Sequence, residues 1–301
     1  MLKLTNIRVL LEDDRALEKI ASSSLQIDAS SIKRLQVVNK SIDARRKNKI
    51  SFVYSFLLEV ESEQKLLQKN ASNKNLTHFA TKKPEKIVYG KKKLQGQVVV
   101  VGAGPAGLIC ALFLAQNGYK PLLLECGLDV DARRKAVSEF WQTGKFSPVG
   151  NVQFGEGGAG TFSDGKLTTR VNDPAEREIL QIFAACGAPE QILYEHKPHV
   201  GTDLLHVMTR NLATSIKESG GQIKYLSKLD DIIIEDGAIK KISLSDGTVI
   251  DCSALVLATG HSARDTYKML FDRGFVLEAK PFSIGVRVEH PQAIIDEAQY
   301  G

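Results

Sequence analysis

The chain has 301 residues, of which 43% are hydrophobic and 25% charged, with a formal net charge of +5. It contains no run of eighteen apolar residues, and its first residues, MLKLTNIRVLLEDD, carry acids where a secretory signal needs an unbroken apolar core. A membrane span and a leader are therefore excluded from the expectation, and a cytoplasmic location is expected. Cys110, Cys126, Cys186 and Cys252 stand alone, with no paired spacing for a metal or a redox-active disulfide.

The total charge hides an asymmetry. Residues 1–96 carry 20 Lys+Arg against 10 Asp+Glu, leaving 20 against 25 for the remainder. The two parts read as different modules, and length alone allows about two domains.

In chain order, Leu2 to Leu11 alternates as a strand, and Asp13 or Asp14 is expected to cap a helix bearing Leu17, Ile20, Ala21 and Leu25. Ile32 to Ile42 and Ile50 to Val60 read as two strands. Phe52, Tyr54, Phe56, Leu58 and Val60 share one face of the second. This predicts a small α+β domain of ferredoxin-like kind. The turn between those strands is basic, with Arg45, Arg46, Lys47 and Lys49. Such a cluster can meet nucleic-acid phosphates, but a solvated hairpin turn needs the same residues, and no exposed aromatics are interleaved. Residues 61–93 are polar and lysine-rich, and read as a helix followed by a linker around Pro84.

The stretch Gln97 to Glu125, QVVVVGAGPAGLICALFLAQNGYKPLLLE, carries the strongest signal. It has a buried strand, a glycine turn, a helix to Gln116, a stop at Gly118 and a second strand from Pro121 to Leu124. Within the turn Gly102-Ala103-Gly104-Pro105-Ala106-Gly107, Gly102 permits the sharp exit from the strand, Gly104 lets a pyrophosphate approach the backbone, and Gly107 lets helix and strand pack closely. The helix N-terminus supplies free N–H groups and a partial positive charge to the anion. Glu125, 18 residues beyond Gly107, is placed to accept both hydroxyls of an adenosine ribose and to repel a 2′-phosphate.

A charged helix over Asp131 to Trp141 follows, and then NVQFGEGGAGTFSDGKL, residues 151–167, with five glycines. This run fits no regular helix or strand. It suits a backbone wrapped around a large planar ligand, with Gly158, Gly160 and Thr161 as candidate contacts. Residues 174–186 and 202–219 read as helices, the second closed by Gly220 and Gly221. Short strands are then expected at Gln222–Leu226, Leu229–Glu235, Ala238–Ser243 and Val249–Cys252, turned at Asp236-Gly237 and Asp246-Gly247, with an apolar strand from Ala254 to Ala258 closing the series.

This order of elements resembles the flavoproteins of the glutathione-reductase type. There a βαβ unit holds the ADP part of FAD, a β-meander follows, and an ATG strand end, here Ala258-Thr259-Gly260, returns to the nucleotide. The runs NVQFGEGGAGTFSDGKL, KPHVGTDLL, ATGHSARDTYKML and KPFSIGVRVEHPQ look like the bacterial family of uncharacterised FAD-dependent dehydrogenases, also called NAD(P)/FAD-dependent oxidoreductases. The resemblance covers nearly the whole chain. It implies an α/β, Rossmann-like FAD-binding domain with a β-meander, FAD as cofactor, NAD(P)H as a candidate electron donor, and oxidoreductase activity on a small molecule. Flavin-dependent RNA modification and a non-catalytic FAD scaffold are the alternatives.

The expected organisation is a basic α+β domain over 1–83, a linker over 84–96, the FAD-binding domain over 97–274, and the opening of a truncated substrate domain over 275–301, with strands at Phe275–Glu278 and Phe282–Val288. Because such proteins return to the FAD fold after the substrate domain, an incomplete FAD domain and a weakened FAD site are expected of a chain ending at Gly301. His261, Arg264 and Lys166 are candidates to face the flavin. His261 is equally a local helix-start residue, and Ser262 or Asp265 equally a cap; no residue is assigned a catalytic role.

Overall fold

The computed structural model describes residues 1–80, 88–91, 93–169, 173 and 175–301; the linker call at Pro84 lies outside the described residues. The chain divides into two compact units. One comprises Met1–Val88 with Gln191–Pro198 and Pro281–Gly301, and the other Tyr89–Glu190 with His199–Lys280.

The first unit is built on strands β1 (Leu2–Leu10), β2 (Ile32–Asp43), β3 (Ser51–Val60) and β4 (Leu76–His78), with helix α1 (Leu17–Leu25) after β1 and α2 (Glu63–Lys69) after β3. The sheet order is β2-β3-β1-β4, antiparallel throughout. This is the split βαββαβ arrangement. Period-two alternation puts Phe56, Leu58 and Val60 of β3 on the same side as Leu2 and Leu4 of β1, where Ala21 and Leu25 of α1 close the core. Tyr54 stacks on Phe56 with ring centroids 5.6 Å apart.

Three details differ from the sequence reading. Helix α1 starts at Leu17 behind Ala16, with no side-chain cap: Asp13 and Asp14 both fall upstream of the cap position, and Asp13 is held by the Arg15 guanidinium. Strand β4 has only three residues, too few to show a period. Finally, Phe275–Glu278 and Phe282–Val288 form no strand. Residues 275–291 carry no regular structure, and helix α8 (Gln292–Tyr300) follows. Phe282, Ile284 and Val286 alternate but stay 83–89% exposed. Alternation selects a face without supplying the neighbouring strand that a ladder needs.

The basic turn is partly neutralised. The Asp43 carboxylate accepts from Arg45 and from Arg8, and both guanidinium bonds hold its pKa well below the usual carboxylate range. Lys47 donates to the Glu297 carbonyl at 2.8 Å.

The second unit contains a six-stranded sheet of order β7-β6-β5-β10-β9-β8. Its strands are β5 (Gln97–Val101), β6 (Leu122–Leu124), β7 (Gln222–Lys224), β8 (Leu229–Glu235), β9 (Ala238–Leu244) and β10 (Val249–Leu257). The parallel part, β7-β6-β5-β10, follows the doubly wound order 3-2-1-4. Helices α3 (Pro105–Gln116), α4 (Val130–Thr143), α5 (Ala175–Ala185), α6 (Thr202–Glu218) and α7 (Arg264–Asp272) complete the unit, with α3 and α6 packed together. Helix α3 lacks a polar stripe, and Leu108, Ala111, Leu112 and Ala115 are buried along it.

The sequence reading split β10 in two, at Val249–Cys252 and Ala254–Ala258. The structure makes it one strand. It pairs antiparallel with β9 over Val249–Asp251, shifts register between Cys252 and Ala254, and continues parallel to β5. A bulge at Ser253 lets one strand serve meander and parallel sheet alike. Strand β7 stops at Lys224 rather than Leu226, whose φ of 52° leaves the strand region. Among the described residues no helix is long and apolar enough to cross a membrane.

The first unit's core predicts that Phe56→Ala lowers stability by about 3–5 kcal/mol, read as a lower urea midpoint for the transition of that unit; an unchanged midpoint would place Phe56 outside the core.

Candidate functional site

The parallel strands β5 and β10 end side by side, and the chain leaves β5 through a turn that only glycine can make. Gly102 has φ +101°, and a Cβ there would lie 2.4 Å from the Ala258 carbonyl oxygen. At Gly107 a Cβ would lie 1.8 Å from the Gly102 oxygen. Gly104 is different, because a Cβ there would meet only the Gly158 Cα, at 3.9 Å. Packing demands glycine at the first two positions, whereas at Gly104 the missing side chain opens space in front of α3.

That space is a cleft of about 570 Å³. Gly102, Gly104, Pro105 and Ala106 form one wall, Ala258, Thr259 and Gly260 another, with Glu125 and Gly158 between. In the first turn of α3, Pro105 has no N–H, and Leu108 N–H bonds to the Gly104 carbonyl at 2.9 Å. The N–H groups of Ala106 and Gly107 have no intrahelical acceptor, the arrangement that binds anions at helix N-termini.

Glu125 is 5% exposed at the end of β6. Its carboxylate accepts the Ala103 N–H on Oε2 and the Gly127 N–H on Oε1, both at 2.8 Å. It thus fixes the glycine turn itself, a task the sequence did not reveal. The Cys126 thiol adds a third donor, to Oε1 at 3.3 Å, and since a carboxylate has about four lone-pair positions, Oε2 keeps one open for a hydroxyl donor. The adjacent Cys126 thiol is pushed up to about 12 by burial and by the Glu125 charge, and so stays protonated at neutral pH.

The glycine-rich run takes the irregular path expected of it, with one 3-10 turn at Ala159–Phe162. Its shape is set by Arg133, which is 0% exposed. The guanidinium donates to five carbonyls: Asn151 at 2.9 Å, Val152 at 3.0 Å, Gly155 at 3.2 Å, Glu156 at 2.7 Å and Gly158 at 2.8 Å. A sixth bond, at 3.4 Å, reaches Thr161 Oγ1. Burial lowers the Arg133 pKa to about 10, with Glu125 the first of the opposing charges; it remains a cation. The loop is tied to the glycine turn where Gly157 N–H donates to the Ala103 carbonyl at 2.8 Å. Behind it, Glu156 accepts the Val130 N–H at 2.7 Å and the Tyr225 hydroxyl, and burial pushes its carboxyl up.

The sequence-predicted residues therefore fall into two groups. Gly102, Gly104, Pro105, Ala106, Glu125, Gly158, Ala258, Thr259 and Gly260 line the cleft. Ala103 and Gly107 form the turn behind it, Thr161 is buried against Arg133, and Gly160 is exposed and outside the cleft lining. His261 lines the mouth with Nδ1 3.2 Å from Ser262 Oγ, while Arg264 and Lys166 are not among the lining residues, and Lys166 pairs with Asp164. Asp265, in the first turn of α7, accepts the Thr266 N–H at 2.9 Å and pairs with Lys228 inside the cleft, 37 positions apart in sequence.

Arg133 escaped the sequence reading because it stands in the charged run DARRK. The available signal was its spacing from Val130 and Val137, both buried on the same helix face. No spacing reveals the pair Lys228–Asp265.

A family model described as pyridine nucleotide-disulphide oxidoreductase matches residues 96–268, and a domain of unknown function (DUF8436) matches residues 1–59. An uncharacterized protein of Clostridium beijerinckii is 44% identical over all of this chain, which spans 56% of that protein. The thiamine thiazole synthase of Aeropyrum pernix is 27% identical over 63% of the chain and 63% of its own length. The chain thus spans less than two thirds of these relatives. Among solved structures, that of Thermovibrio ammonificans THI4 is similar with a TM-score of 0.40 and 18% identity, covering 60% of this chain and 64% of that one.

Two outcomes follow for this site. Arg133→Met leaves the loop carbonyls without donors, and is expected to lower the melting temperature by the equivalent of about 3 kcal/mol or more and to open residues 151–161 to limited proteolysis. Cys126 is expected to resist iodoacetamide at pH 8 far longer than a free thiol does, as read by mass spectrometry; alkylation at the rate of a free cysteine would contradict the raised thiol pKa.

Proposed function

The chain belongs to the pyridine nucleotide-disulphide oxidoreductase family, and from that premise we propose that it is an FAD-dependent oxidoreductase acting on a small-molecule substrate. The observation that carries the proposal is the cleft at the ends of β5 and β10, which offers helix N-terminal amides, a buried acid and a side-chain-free approach within one space.

In this reading Ala106 and Gly107 donate their free N–H groups to the diphosphate, and the partial positive charge of α3 adds to the attraction. Gly104 leaves room for the phosphates to reach the backbone. Glu125 accepts the adenosine ribose hydroxyls, and its charge disfavours a 2′-phosphate at this site. The Gly158 backbone closes over the nucleotide, held there by Arg133, while Phe154 and Val149 make that side of the cleft apolar and limit water. Ala258, Thr259 and Gly260 bound the far side. When bound, the flavin supplies reversible electron transfer, so the protein's part is to bind, orient and shield it. NAD(P)H is the proposed electron donor. Four unpaired cysteines support a cytoplasmic location, where thiols stay reduced.

The purified protein is expected to show visible flavin absorbance, or to acquire it on incubation with FAD, and NADH or NADPH should bleach it. Glu125→Arg should abolish FAD binding. Since Glu125 also holds the turn, Gly104→Val is the second variant: its side chain enters the cleft rather than the core, and FAD affinity should fall by at least about tenfold with circular dichroism unchanged. Full flavin retention by Gly104→Val would refute the placement.

A further inference from the structure

A second recess lies on the other side of the glycine-rich loop, between α4 and α6, with a volume of about 540 Å³. Three features set it apart from a solvated groove. Arg134 and Lys135, on its α4 wall, make no ion pair among the described residues, while the nearby acids are engaged: Asp131 by Arg210 and Glu139 by Lys145. Trp141 is 67% exposed and stands edge-on to Phe162, with ring centroids 6.1 Å apart at 86°. Phe162 in turn meets the His206 ring at 5.5 Å and 68°.

The third feature is His206 itself. It lines the recess, is only 8% exposed, and its buried Nδ1 has no hydrogen-bond partner. Burial lowers its pKa, as do the Arg134 and Arg133 cations, against the opposing pull of Asp131. These influences favour the neutral ring, which has one N–H and one lone pair to offer. Buried polar atoms in native proteins nearly always have a partner, so an orphan at the wall of a recess marks a place for one.

We propose that this recess binds a small molecule combining one flat apolar ring with a single anionic head group, a carboxylate or a phosphate. The ring packs against the exposed indole of Trp141 beside Phe162, where an aromatic partner gains most. The head group meets Arg134 and Lys135 in charge-assisted hydrogen bonds, and the His206 ring turns to bring its buried Nδ1 to it as the remaining polar contact. The site does not depend on the nucleotide cleft: the two linings have no residue in common.

Trp141 is the only tryptophan of the chain, so its emission reports this recess directly. Full-length protein is titrated with benzoate, phenyl phosphate and inorganic phosphate while visible flavin absorbance is followed in the same samples. Saturable change in Trp141 emission is expected with at least one of the aryl anions, at lower concentration than with inorganic phosphate; the tighter of the two identifies the head group. Arg134→Ala combined with Lys135→Ala should weaken that binding by at least about tenfold. His206→Phe, which keeps the ring packing but removes the polar nitrogen, should weaken it too. The absence of saturation by either aryl anion up to about 10 mM would overturn the proposal. So would unchanged affinity in the double variant, or inorganic phosphate binding as tightly as the aryl anions. The flavin signal reads the other site separately, so failure of one reading is distinguishable from failure of the other.

Discussion

The second unit depends on the absence of two side chains. With nothing beyond Cα at Gly102 and Gly107, the ends of β5, β6 and β10 lock together, Gly102 N–H reaching the Leu124 carbonyl and Ala258 N–H the Val101 carbonyl, each at 2.8 Å, while the first turn of α3 packs against the Gly102 carbonyl. Any Cβ would push α3 off the sheet. The same closeness that packs the corner aims unpaired amides of α3 into the cleft, so fold and anion site have one cause.

Around that corner two buried charged groups do opposite work. Glu125 gathers N–H donors from the turn and from Gly127, while Arg133 gathers carbonyl acceptors from the loop facing it. Each satisfies backbone groups that irregular structure leaves without a ladder. A glycine-rich segment has high conformational freedom to lose, and a fully buried guanidinium bonded to five of its carbonyls is what fixes one shape. The cleft wall is therefore determined from behind, by a residue that does not itself line the cleft.

How much of this was legible in the sequence follows from how local each cause is. The βαβ unit was readable because each glycine has a separate local task and Glu125 falls at a fixed distance along the chain. Phe56, Leu58 and Val60 declared the core of the first unit by period two. Arg133 was hidden because a charged helix run ordinarily faces water, and only its place between Val130 and Val137 hinted otherwise. The ion pair Lys228–Asp265 arises where two distant segments meet, and no spacing encodes that. Phe282, Ile284 and Val286 show the converse: a clear alternation that forms no strand, because pairing is a property of two segments and the pattern describes one. Trp141 and His206 carry no signal singly, and gain meaning only where α4 and α6 bring them to one recess.

The central claim is that a dinucleotide rests its diphosphate on the opening turn of α3. A crystal structure of the protein grown with FAD tests it most directly. The account predicts diphosphate oxygens within about 3 Å of the Ala106 and Gly107 amide nitrogens and ribose hydroxyls on Glu125. A diphosphate bound anywhere else, with the space before Gly104 filled by solvent, would contradict it.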